Sequence, residues 1–143
     1  MNLNIDHELE PFRYLDIEPA NEEVKITIND RVILSSRNMC MLSGLPKSNK
    51  STVNLIMLMS FLTARSIEGI SVKSTGKALY IDTELSNLSF FRAFSRVKKI
   101  CGVSDSELDM NKYDIFLFRM LSKEQILRNI ISLLESEPEY NYT

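Results

Sequence analysis

The chain is poor in the residues that most often build redox and metal centres. It has two cysteines and one histidine among its 143 residues. Cys40 and Cys101 do not form a metal-binding or redox spacing, so we expect buried free thiols, Cys40 in a core strand and Cys101 at a helix end. His7 lies in a polar stretch with no neighbour that suggests catalysis or metal binding. Cysteine and histidine chemistry therefore offers no starting point for a function.

Strong charge and long apolar runs are missing as well. The formal net charge is −2, so the chain has no general affinity for nucleic acid, and any contact with DNA must be local. The apolar run at 53–62 is interrupted by Asn54 and is shorter than a membrane span. The amino terminus lacks the basic start and apolar core of a signal peptide. We therefore predict a cytoplasmic protein of ordinary globular composition.

The chain does contain a loop of the phosphate-binding type at residues 44–52. Its sequence matches the pattern G-x-x-x-x-G-K-[ST] except that Asn49 replaces the second glycine. A polyphosphate needs backbone N–H groups at a helix N-terminus, a cation and a hydroxyl for Mg²⁺, and Gly44, Lys50 and Ser51 provide these parts. The predicted nucleotide-binding residues are Gly44, Leu45, Pro46, Lys47, Ser48, Asn49, Lys50, Ser51 and Thr52.

The flanks of this loop fit the same interpretation. The apolar run 39–43 predicts a short buried parallel strand, and residues 51–65 predict a helix that is apolar around most of its circumference and therefore buried. Asn49 is the departure, because glycine tolerates the required bend best and asparagine next. The alternative is an ordinary strand, turn and helix in which the lysine is coincidental.

A second segment places two carboxylates at the end of a strand. Residues 76–84 run from a turn through an apolar strand to Asp82 and Glu84, which point the same way in an extended chain. Ligands of open α/β sheets bind at this edge, which makes Glu84 a candidate base or water-orienting group near a γ-phosphate. The alternative is that both carboxylates begin a solvated loop and cap the following helix.

The remaining segments predict an alternating order of strands and helices. Residues 24–34 predict a hairpin around an Asn-Asp turn, 67–77 a flexible connection, 86–101 a helix and 113–118 a strand. Ser122 and Gln125 form a capping box that opens a last helix. This order predicts an α/β fold with a mostly parallel sheet flanked by helices and an N-terminal hairpin, occupying residues 23–143 after an extended arm at 1–22.

The helix predicted at 86–101 has two distinct faces. Phe90, Phe94, Val97 and Cys101 lie on one stripe. Arg92, Arg96 and Lys99 lie on another stripe. One interpretation is that this basic stripe contacts a phosphate backbone or a neighbouring subunit's nucleotide; the alternative is a solvated helix face.

Together, the loop with its flanking residues Met-Leu-Ser and the later run Ala-Leu-Tyr-Ile-Asp-Thr-Glu resemble the core of RecA-like P-loop ATPases. The resemblance is nearest to the RepA-like helicases and the ATPases of bacterial mobile elements, and it extends over residues 31–135. By position, it implies that Lys50 contacts the β and γ phosphates, Ser51 binds Mg²⁺ and Glu84 activates the attacking water. It also implies ATP and Mg²⁺ as ligands, a homo-oligomeric ring, DNA as a possible partner, and a role in DNA replication or mobilisation of a mobile element.

The chain departs from this family after residue 121. A Walker B strand is expected there, whereas the sequence predicts a helix, so the chain matches only the amino-terminal part of such a core. A rival assignment makes residues 78–82 the Walker B strand, with Asp82 holding Mg²⁺.

A different class of function is a degenerate module that binds nucleotide or protein without hydrolysis. A small-molecule kinase fits less well, because the second glycine and an arginine-rich lid are absent.

Overall fold

The computed structural model describes residues 23–35, 39–45, 47–73 and 76–136. The predicted arm at 1–22, and Arg37 and Asn38 before the loop, lie outside the described residues. The elements are β1 (Val24–Ile28), β2 (Arg31–Ser35), α1 (Lys50–Thr63), β3 (Ile70–Val72), β4 (Ala78–Asp82), α2 (Asn87–Ile100), β5 (Tyr113–Leu117) and α3 (Lys123–Ser136). This part of the chain is mixed α/β, with a sheet in the order β2-β1-β3 and a separate pair, β4-β5.

The predicted hairpin is confirmed. β1 and β2 pair antiparallel, and the turn residues Asn29 and Asp30 both have positive φ, 48° and 64°. Two consecutive left-handed residues are the conformation of a type I′ turn, whose twist matches that of the flanking strands, and asparagine and aspartate tolerate it well. The turn residues of the sequence therefore fit the hairpin that the structure shows.

The segment 67–77 was predicted to be a flexible connection, and this prediction is wrong for the part that forms β3. β3 pairs antiparallel with the free edge of β1. A tight turn returns the chain from α1 to this edge, with reciprocal hydrogen bonds of 2.9 and 2.8 Å between Ile67 and Ile70. Gly69 adopts φ 77° within this turn, a conformation that glycine adopts without steric cost.

The parallel arrangement predicted for the two later strands is confirmed. β4 and β5 pair in parallel, from Ala78 opposite Tyr113 to Asp82 opposite Leu117, and α2 forms the connection between them. Their carboxyl ends consequently meet at one edge, where Phe118 donates its amide to the carbonyl of Asp82 at 2.7 Å.

The predicted strand at 39–43 is wrong. These residues form no strand, and the side chains of Met39 and Met41 are 97% and 86% exposed. Cys40, predicted to lie in a core strand, is exposed too. A strand needs a neighbour for its backbone hydrogen bonds, and among the described residues β4 pairs only with β5. The predicted parallel sheet therefore lacks this strand within the described residues.

The core lies between α1, α2 and the β4-β5 pair. Helix α1 contributes Leu55, Leu58, Met59 and Leu62, in agreement with its predicted burial. The predicted stripe of α2 also faces this core, with Phe90 and Val97 buried and Phe94 and Cys101 half-buried.

Helix α3 has no buried residue within its bounds. Its predicted capping box is present, since Ser122 and Gln125 exchange hydrogen bonds of 2.9 and 3.3 Å.

Ser60 ties α1 to β3 from within the core. Its hydroxyl is fully buried, lies 2.6 Å from the carbonyl O of Arg65 and 3.0 Å from that of Ile70, and accepts from the amide of Val72 at 3.1 Å.

Removal of the Ser60 hydroxyl deprives these backbone groups of a partner, so we expect Ser60→Ala to lower the free energy of unfolding by about 1–3 kcal/mol. Urea denaturation measures this change. The control Ser132→Ala, at an exposed position of α3, should shift it by less than about 0.5 kcal/mol. Equal effects of both substitutions would contradict this role.

Candidate functional site

The 44–52 loop folds over the start of α1. The amide of Ser48 donates to the carbonyl O of Leu45 at 3.2 Å, which closes a turn. Lys47 and Asn49 have left-handed backbones, with φ 64° and 60°. Asn49 is the N-cap residue of α1, at the position that the phosphate-loop pattern gives to glycine. Since asparagine is among the residues that best tolerate this conformation, its presence fits the loop geometry.

The N-terminus of α1 opens towards this loop without a side-chain cap. Asn49 makes no capping hydrogen bond through its side chain, and the first turn contains no acidic residue. The first amides of a helix have no acceptor within the helix, and they carry the positive end of its dipole. The amides of Lys50, Ser51 and Thr52 are in this position, and an anion would be their natural partner.

Lys50 bends back over the loop rather than into solvent. Its ammonium Nζ donates to the carbonyl O atoms of Gly44 and Leu45, both at 2.9 Å, and lies 3.4 Å from the Oγ of Ser48. Gly44 and Ser48 approach closely within the loop, since a Cβ on Gly44 would lie 2.7 Å from that same Oγ. The positive charge is thus held above the loop by neutral carbonyl groups, which are weaker partners for an ammonium than an anionic oxygen is.

The loop and the acidic residue Glu84 line a single pocket. Its volume is about 490 Å³, within the range of small-molecule sites. The lining residues are Gly44, Lys47, Ser48, Asn49, Lys50, Ser51, Thr52 and Glu84. The structure thus brings Glu84 to the loop from the far end of β4. Every lining residue belongs to the set predicted from the sequence. Two other predicted residues are not among the lining: Leu45 is exposed outside the pocket, and Pro46 lies outside the described residues.

Asp82 does not line this pocket. Its carboxylate is buried and accepts hydrogen bonds through Oδ1 from the amides of Glu84 at 2.8 Å and Leu85 at 2.6 Å. An aspartate that binds the amides two and three residues later organises a turn, a pattern that Asp-Thr-Glu after a strand could have suggested. Asp82 therefore holds the backbone of Glu84 in place, and its predicted metal contact stays a prediction. The cap of α2 comes instead from Ser86, which accepts from the amide of Ser89 at 3.3 Å.

Tyr80, two residues before Asp82 on β4, is partly buried. Burial, reinforced by the negative charge of Asp82, raises the pKa of Tyr80 to about 12. The Tyr80 ring packs against that of Phe90, with centroids 5.6 Å apart. Tyr80 therefore stays neutral at physiological pH and contributes packing rather than charge.

Two further properties bear on what this site can hold. No group of three or more His, Cys, Asp or Glu side chains suited to a metal ion occurs in the part of the chain that the structure describes. Of the predicted metal-binding residues, Ser51 lines the pocket, together with Glu84. Within the same residues, no helix combines the length and apolar character needed to cross a bilayer.

Comparison of the chain with protein-family models, with curated proteins and with solved structures gives no match in any of the three. Any functional assignment must therefore be argued from the pocket itself.

Proposed function

We propose that the chain binds Mg²⁺-ATP at the 44–52 loop, as a P-loop ATPase of the RecA-like type. The observation that carries this proposal is one pocket lined by the uncapped N-terminus of α1, by Lys50, whose ammonium folds onto the loop, and by Glu84. Backbone amides and a lysine bind phosphate groups, and a carboxylate can orient water for attack on the terminal one.

The loop residues would divide the work of binding a polyphosphate. The amides of Lys50, Ser51 and Thr52 would donate to phosphate oxygens at the positive end of α1. The ammonium of Lys50 would exchange the carbonyls of Gly44 and Leu45 for anionic oxygens, gaining charge-assisted hydrogen bonds.

Ser51 is the residue that would hold Mg²⁺. It follows Lys50 in the first turn of α1 and lines the pocket, and a serine hydroxyl at this position fits a hard cation that prefers oxygen ligands. The ion, when bound, neutralises charge on the phosphate oxygens.

Glu84 is the candidate for the group that orients the attacking water. Glu84 lines the pocket, and its backbone is held by the buried carboxylate of Asp82. A water-orienting group must be rigidly placed to be effective, which gives the turn after β4 a role in catalysis.

A second candidate function is a module that binds nucleotide without hydrolysing it. It is favoured by the hydrogen bonds that the Asp82 carboxylate, the second acidic group near the pocket, accepts from backbone amides.

The wider setting stays part of the first proposal and comes from the sequence resemblance alone: a homo-oligomer in the cytoplasm, acting on DNA in replication or in mobilisation of a bacterial mobile element.

Titration of the full chain with a fluorescent ATP analogue, with and without Mg²⁺, tests nucleotide binding. We expect saturable binding that ATP and ADP displace at least tenfold more effectively than AMP, because the loop contacts phosphates beyond the first. Displacement by AMP as effectively as by ATP, or no saturable binding by the folded protein, would refute the proposal. Release of phosphate from ATP in the same samples indicates an ATPase, and binding without release indicates the non-hydrolysing module.

A further inference from the structure

The pocket at the 44–52 loop is lined by residues of one chemical kind. Seven of its eight lining residues are polar or charged, and the eighth is a glycine. They include the hydroxyl residues Ser48, Ser51 and Thr52 and the cations Lys47 and Lys50. Hydroxyl and ammonium groups, like the first amides of α1, donate hydrogen bonds to phosphate oxygens. The lining is therefore suited to phosphate groups along its whole extent.

Charge along this lining favours a ligand with several negative charges. Two lysines, Lys47 and Lys50, are accompanied by one acidic residue, Glu84. The N-terminus of α1 adds the positive end of the helix dipole, and its first turn contains no acidic residue to offset it. A chain of phosphates meets more of these groups at once than a single phosphate does, so we expect affinity to rise with the number of phosphates.

A nucleobase is bound by surroundings of a different kind. Its flat ring packs against aromatic or aliphatic side chains, while a few polar groups bind its edge. None of the described lining residues is aromatic, and none is Val, Leu, Ile or Met. The rings of Tyr80, Phe90 and Phe94 pack in series in the core. Leu45, an exposed apolar residue of the loop, lies outside the pocket.

We propose that this pocket recognises a chain of phosphates and does not discriminate between nucleobases. Its ligand class is then the nucleoside triphosphates of any base, together with inorganic tripolyphosphate. This ligand class rests on the proposed function, because it takes the 44–52 loop as the phosphate site, and it extends that function beyond ATP. The ammonium of Lys50 and the amides of Ser51 and Thr52 supply the same contacts to every member of the class.

Isothermal titration calorimetry of the full chain with ATP, GTP, UTP and tripolyphosphate, each with Mg²⁺, tests this proposal. We expect the Kd values of the three nucleotides to agree within about fivefold, and tripolyphosphate to bind within about tenfold of ATP. Adenosine should bind at least about 100-fold more weakly than ATP, because it has the base without the phosphates. A larger difference between the three nucleotides, or binding of adenosine as tight as that of ATP, would overturn the proposal.

Two substitutions locate the contacts. Lys50→Ala should weaken binding of ATP, GTP and UTP by the same factor, because its ammonium meets phosphates in each of them. Leu45→Ala removes the exposed apolar side chain of the loop, and it should leave the ratio of the GTP and ATP affinities unchanged. A changed ratio in Leu45→Ala would overturn the proposal, since it would mean that the base packs on Leu45.

Failure of this proposal is distinguishable from failure of the proposed function. Binding of ATP with rejection of GTP and UTP would overturn base indifference and leave ATP binding intact. Absence of binding of all four ligands by the folded chain would overturn the phosphate site itself, and the proposed function with it.

Discussion

Lys50→Ala should weaken binding of Mg²⁺-ATP by about 10- to 100-fold or more. The ammonium of Lys50 is held above the loop by the carbonyls of Gly44 and Leu45, and it is the cation best placed to meet phosphate oxygens. A hydrogen bond to a charged group contributes about 1.5–3 kcal/mol, which corresponds to this loss of affinity. Titration with the fluorescent ATP analogue measures the change, and the unfolding transition checks that the variant is folded.

Lys47→Ala is the matched control for this experiment. Lys47 also lines the pocket and has the same charge, but it is exposed at the turn of the loop. An exposed cation interacts with an anion through solvent and contributes about 1 kcal/mol or less, so we expect less than about a fivefold loss. Equal effects of the two substitutions would mean that the pocket attracts anions only by its charge.

Asp82→Ala should cause the largest loss of stability among substitutions near the pocket. The buried carboxylate accepts from two backbone amides, those of Glu84 and Leu85, and its removal leaves both N–H groups without that acceptor. We expect the free energy of unfolding to fall by about 2–4 kcal/mol in urea denaturation without Mg²⁺. Asp82→Asn keeps an oxygen acceptor, so its loss should be about half as large.

The same substitution separates a structural role of Asp82 from a metal-binding one. A residue that acts only as a metal ligand would leave stability without Mg²⁺ unchanged or raise it, so an unaltered unfolding midpoint in Asp82→Ala contradicts the turn-organising role. The control is Asp109→Ala, because Asp109 is exposed and accepts a single backbone bond, from Asn111 at 3.0 Å. Its loss should be less than about 1 kcal/mol.

Elements specified by local chemistry were predicted well from the sequence. The Asn29-Asp30 turn and the Ser122-Gln125 capping box involve residues a few positions apart, whose side chains and backbones act on each other directly. The core stripe of α2 is a consequence of helical periodicity. Glu84 lines the same pocket as the loop, as predicted, although the prediction assumed a strand before the loop that the structure does not have.

Features that the sequence did not predict depend on partners distant along the chain. An apolar composition at 39–43 favours a strand but does not say whether a neighbour is available, and the described residues provide none. β3 was missed for the converse reason, because its segment has loop-like residues and its strand is stabilised by pairing with β1. The sequence of Asp82 and its neighbours fits a metal or a turn equally well; the positions of the amides show the turn, and the metal contact stays a prediction.

The most direct test of the proposed site is the amide NMR spectrum of the ¹⁵N-labelled chain during titration with Mg²⁺ and a non-hydrolysable ATP analogue. We expect the largest shifts at Gly44, at the amides of residues 47–52 and at Glu84, and we expect Lys50→Ala to remove them. Saturable shifts that leave these amides unmoved and lie elsewhere in the chain would contradict nucleotide binding at the 44–52 loop. A spectrum that does not change at millimolar ligand would contradict it as well.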